Sequence, residues 1–101
     1  MTRLRNELDK LEEYLIDHRI TFESIHKMGW HQICVPESGE NCRWDAICHR
    51  GSYGYEQGLI EIYGELVTEE DGDSVVGWLT AEDVIRRLEK KNEEENEKRK
   101  E

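Results

Sequence analysis

The segment from Arg50 to Gly58, RGSYGYEQG, gathers more chemistry than any other stretch of this chain. Glycines at 51, 54 and 58 bracket Ser52, Tyr53, Tyr55, Glu56 and Gln57. Glycine lets backbone come close to a ligand and reach positive φ. Backbone amides held between glycines suit a phosphate or a carboxylate. Arg50 can pair with such an anion, and His49 can assist it. Tyr53 or Tyr55 can stack on a ring, and Gln57 can read its edge. The expected contacts of a small nucleotide-like ligand are therefore Arg50, Ser52, Tyr53, Tyr55 and Gln57, with His49 beside them and the loop as a lid. The segment is not a Walker loop, because no Gly-Lys-Ser/Thr follows, and its glycine spacing is not a dinucleotide fingerprint. The competing reading is a long connection whose glycines serve only its own geometry.

Other constellations carry less. Cys34, Cys42, Cys48 and His49 lie close in sequence, with His26 and His31 upstream. Zinc sites usually gather ligands in C-x₂₋₄-C pairs, whereas the gaps here are seven and five residues. Cys34 and Cys48 also fall where a strand would point them at the core, a common place for a small thiol. No metal site and no cofactor are expected. A small enzyme using Cys48, His49 or Glu56 requires an exposed thiol beside a histidine. Asp45, Glu56 and Glu61 sit near the loop, but in a chain with 24 acids their spacing matches no acid–base signature. Trp30, Trp44 and Trp78 read as core or half-buried sheet residues.

The elements that would position the loop follow from periodicity. Thr2 can cap a first helix whose Leu4, Leu8, Leu11 and Leu15 share one face, ending near His18. Ile20 to Met28 reads as a strand, Met28-Gly29 as a turn, and Trp30 to Val35 as a second strand that Pro36 stops. Trp30 and Cys34 share one face of it; His31, Ile33 and Val35 share the other. Arg43 to His49 is a third strand, with Trp44, Ala46 and Cys48 on one face. Leu59 to Val67 fits a strand, although Tyr55 to Ile62 could begin as a helical turn. Thr68 to Asp73 is a turn and Ser74 to Leu79 a last strand. Thr80 then caps a closing helix, with Asp83 at the third helical position and Ala81, Val84, Ile85 and Leu88 as its apolar face.

Composition bounds the partners. The chain has 101 residues, enough for one domain with a modest core. Its net charge is −10, and 38% of its residues are charged. That excludes non-specific binding to nucleic acid or an anionic membrane, which need a basic face. It suits a soluble protein, a basic protein partner, or mimicry of a nucleic acid. No apolar run is long enough to cross a bilayer and no signal-type segment follows Met1, so a cytoplasmic setting is expected. Three cysteines fit that setting as reduced thiols.

The segments WDAICHRGSYGYEQGLIEIYG, Trp44 to Gly64, and VVGWLTAEDVI, Val75 to Ile85, resemble a family of small uncharacterised proteins encoded in phages and mobile elements of Gram-positive bacteria. The resemblance implies a bacterial host cytoplasm and an accessory role, including inhibition of host defence. It transfers no catalytic residue.

The sequence thus predicts an α+β fold: an N-terminal helix, an antiparallel sheet of four to five strands, and a C-terminal helix, with both helices on one face. Residues 1–90 form one domain, and 91–101 a charged, solvated helical extension or tail. The leading functional expectation is a non-enzymatic protein that sequesters a nucleotide-like ligand through loop 50–58. The alternative is an acidic inhibitor of a host effector protein. An exposed sheet edge would also permit a homo-oligomer.

Overall fold

The computed structural model of the chain describes residues 6–99. Thr2 and Leu4, the expected cap and first leucine, lie outside that range. The first helix, α1, spans Glu7–Asp17 and takes Asn6 as its cap. The Asn6 side chain accepts the Asp9 N–H at 3.1 Å, and the Asp9 carboxylate accepts the Asn6 N–H at 2.8 Å. Two backbone donors that a helix start leaves open are satisfied reciprocally. Leu8, Leu11 and Leu15 are fully buried, each worth roughly 1.5–3 kcal/mol of transfer free energy. The helix ends at His18, as its sequence predicts.

Five strands follow: β1 Glu23–Lys27, β2 Trp30–Val35, β3 Trp44–His49, β4 Ile60–Gly64 and β5 Val75–Leu79. They pair antiparallel in the order β1-β2-β3-β4-β5, a simple meander. The closing helix α2 runs Ala81–Arg99 without a break at residue 90. It opens on a reciprocal cap: Thr80 donates its N–H to Asp83 Oδ2 at 3.0 Å, and Asp83 donates to Thr80 Oγ1 at 3.2 Å. Glu7 joins the two helix starts by accepting the Ala81 N–H at 2.8 Å. The charged extension is not wholly solvated. Lys91 and Glu95 meet Glu65 and Arg43 at the ends of β4 and β3.

Both helices lie on one sheet face, α1 against β2 and β3 and α2 against β5, in contact with each other. Alternation along the strands decides what each face carries. His31, Ile33, Val35, Trp44, Ala46, Cys48, Ile60 and Ile62 point inward and are buried. Trp30, Gln32, Asp45, Ile47, His49, Glu61 and Tyr63 point to the other face, which no described helix covers.

Two sequence expectations change, and one that was open is decided. Of the tryptophans only Trp44 is core; Trp30 is 42% and Trp78 59% exposed. Cys34 is buried, but beneath the outer face between Glu23 and Asp45, apart from the leucine core. The ambiguous stretch resolves as a short 3₁₀ turn, Tyr55–Gln57, followed by β4. Among the described residues, no helix is long and apolar enough to cross a membrane.

Candidate functional site

The loop after β3 has two halves with different jobs. In the first, Ser52 is 7% exposed and committed to the backbone of His49. Its Oγ donates to the His49 carbonyl at 2.7 Å and accepts the His49 N–H at 3.0 Å. Gly54 has φ 92° and packs against β5: a Cβ there would fall 2.8 Å from Leu59 Cβ and 3.2 Å from Trp78 Cα. A Cβ at Gly77 would overlap Tyr53 Cβ, and Trp78 donates its N–H to the Tyr53 carbonyl at 3.3 Å. Here the glycines let two backbones touch rather than expose amides to a ligand. Tyr53 is 57% exposed, beside β5.

The second half docks on the start of α1, where Gly58 accepts the Glu7 N–H at 2.9 Å. It also forms one wall of an open cavity of about 770 Å³, made by Tyr55, Glu56, Gln57 and Gly58. The opposite wall is the β1–β2 turn, His26 to Trp30; buried His31 and Cys48 lie beneath, and Asn6 closes one side. Met28, at the tip of that turn, is 98% exposed.

Of the six anticipated contacts, Tyr55 and Gln57 line the cavity. Arg50 and His49 border it from outside. The Arg50 N–H bonds the Gly29 carbonyl at 3.1 Å, and its side chain lies over Gly29. His49 stacks on Trp30, ring centroids 4.0 Å apart and planes 4° apart. Its Nδ1 lies 2.8 Å from the Arg50 carbonyl. A carbonyl only accepts, so Nδ1 carries the proton. Ser52 and Tyr53 do not join the group.

The histidine that faces Cys48 is its buried cross-strand partner His31 rather than His49. Cys48 and His49 point to opposite faces of β3, as neighbours in a strand must. Burial, with help from Cys42 and Asp45, pushes the Cys34 thiol up to about 11. It stays protonated and weakly nucleophilic at neutral pH. On the outer face, burial also raises the Asp45 carboxyl above its ordinary value, against the hydrogen bond it accepts from Gln32 at 2.9 Å.

Sequence reasoning missed one grouping. His26 and His31 are cross-strand partners on the helix-facing side, with ring centroids 3.8 Å apart. Glu12 of α1 reaches both: its Oε2 lies 3.5 Å from His26 Nε2 and 3.6 Å from His31 Nε2. The signal was present, since a two-residue turn at Met28-Gly29 must set residue 26 opposite residue 31. Glu12 carries no such local signal, because only the packing of α1 on the sheet brings it to the pair.

Comparison of the chain with protein-family models, with curated proteins and with solved structures gives no match.

Proposed function

We propose that this chain is a non-enzymatic binding protein that takes a small nucleotide-like ligand into the cavity between the β1–β2 turn and the Tyr55–Gln57 turn. The observation that carries the reading is the cavity itself. About 770 Å³ falls within the range of sites that hold cofactor-sized molecules. Its lining includes Trp30 and Lys27 of the β1–β2 hairpin together with Tyr55 and Gln57. Those groups suit a ring with an anionic substituent. Lys27 offsets Glu56 within the lining, so the site escapes the acidity of the whole chain. Loop 50–58 contributes one wall rather than a lid, and Arg50 acts by bracing Gly29. The resemblance of segments 44–64 and 75–85 to mobile-element proteins is the ground for reading the role as counter-defence in a bacterial cytoplasm.

A thermal-shift screen against linear and cyclic nucleotides tests this. At least one is expected to raise the unfolding temperature, and Gln57→Ala with Lys27→Ala to abolish the shift. A flat screen, repeated with small molecules extracted from host cells, would remove the reading.

A second reading, an acidic inhibitor of a basic effector protein, is favoured by the open sheet face. Tyr63 is 58% and Trp30 42% exposed there, with Glu61 and Asp45 on the same face. Exposed aromatics ringed by acids suit a cationic protein surface. Association with such a protein is expected to weaken with salt and with Tyr63→Ala.

A further inference from the structure

Glu12, His26 and His31 arrive from three elements, α1, β1 and β2, and their ligating atoms all lie within 4.8 Å of one another. We propose that these three side chains bind a divalent first-row transition cation of the zinc type beside the cavity. The inference does not depend on a nucleotide-like ligand, because it needs nothing else bound.

The distances favour coordination over simple ion pairing. The carboxylate oxygen is 3.5 and 3.6 Å from the two imidazole nitrogens. A good hydrogen bond would draw them closer, to about 2.7–3.2 Å. Zinc bonds of about 2.0–2.1 Å set ligand atoms roughly 3.4 Å apart along a tetrahedral edge. The two carboxylate–imidazole spacings are close to that edge, and the two imidazole nitrogens lie within 4.8 Å of each other. Two imidazoles and a carboxylate are also a donor set that zinc and its neighbours accept.

The scaffold is already in place. His31 is 4% exposed and fixed in the ladder between His26 and Cys48. Glu12 stands on a helix that packs on β2 and β3. Three protein ligands leave a coordination position for water or an anion, and two of the three line the cavity.

Asn6 takes part at one remove. Its Oδ1 caps the Asp9 N–H, while its Nδ2 lies 3.4 Å from His31 Nδ1. An imidazole that ligates through Nε2 carries its proton on Nδ1 and calls for an acceptor there. An aspartate at position 6 would supply one and still cap the helix. Asn6 presents a donor there instead, which disfavours the ligating tautomer, so Asn6→Asp is expected to tighten metal binding.

The test is a Co²⁺ titration of the full chain, stripped with a chelator and kept reduced, followed by visible absorption, with Zn²⁺ measured by calorimetry. One equivalent is expected to bind, with ligand-field bands and no thiolate charge-transfer band. His26→Gln and Glu12→Gln should each weaken binding roughly tenfold or more. Both side chains reach solvent, so their metal-free unfolding temperatures should stay near that of the parent, which separates lost ligation from lost folding. No saturable binding, binding that neither substitution weakens, or a thiolate band would overturn the site. Unchanged affinity in Asn6→Asp would overturn the role of Asn6.

Discussion

Gly77 lies so close beneath Tyr53 that a Cβ on the glycine would overlap the Cβ of the tyrosine. The contact is backbone-deep, because Trp78 also bonds the Tyr53 carbonyl. Trp78 itself holds φ 61°, an unusual conformation for a bulky residue. Loop and edge strand are therefore locked together. Gly77→Ala should force them apart, at a cost of about 1–3 kcal/mol, and lower the unfolding temperature by roughly 5–15 °C. Thermal denaturation checks this. An unchanged midpoint would mean that the loop rests only loosely on β5.

Gly64 should be less tolerant still. It has φ 101°, and a Cβ there would fall 2.6 Å from the Arg43 carbonyl oxygen and 2.8 Å from Trp44 Cα. Neither neighbour is the end of a flexible side chain. Gly39 has φ 90° with nothing within 4 Å. Gly64→Ala is expected to cost about 2 kcal/mol more than Gly39→Ala, since both pay for conformation and only one for a clash. Chemical denaturation of the two variants measures the difference.

Acid should release the turn before β5, which Asp71 ties to α2. Asp71 accepts two bonds from Arg87, both 2.9 Å, and Arg87 also donates to the Leu66 carbonyl at 3.0 Å. The Arg87 guanidinium, then the Thr68 N–H, hold the Asp71 carboxyl well below the usual carboxylate range. A depressed folded-state value gives stability that is fully present above the ordinary value of about 3.9 and lost as pH falls toward the folded one. Asp71→Asn should cost about 1 kcal/mol at neutral pH. The gap from the parent should shrink steadily below about pH 4. Unfolding free energies across that range check it, and a gap that widened in acid would contradict the sign.

Thiol reactivity separates a binding protein from a cysteine enzyme. All three cysteines are thiols, with Cys34 and Cys48 buried and Cys42 half-buried. Cys42 donates to the Trp44 carbonyl at 3.2 Å. In the folded protein one thiol should react readily with a disulfide reagent, and Cys42→Ser should remove that reaction. Rapid labelling of Cys48 would reopen nucleophilic chemistry at the cavity.

Much of the fold was legible because its signals are local. Alternation in β2 and β3, the leucine spacing of α1 and the Thr80–Asp83 cap each depend on neighbours within a few residues. The site was less legible because its parts meet across the sheet. In the sequence Gly54 reads as freedom for a ligand, whereas with Gly77 it serves a contact between segments more than twenty residues apart. Tyr53 and Tyr55 are equivalent in sequence, yet the intervening glycine sends one to the edge strand and the other to the cavity. Glu12 joins two histidines only once α1 lies on the sheet.

The cavity is most directly tested by nuclear magnetic resonance with labelled Met28 methyl and Trp30 indole groups. Adding the nucleotide that gives the largest thermal shift should move both signals together with the amides of Gly29 and Gly58, and leave Tyr63 and Trp78 unmoved. Shifts confined to Tyr63 and Trp78, or none at all, would contradict ligand binding between the two turns.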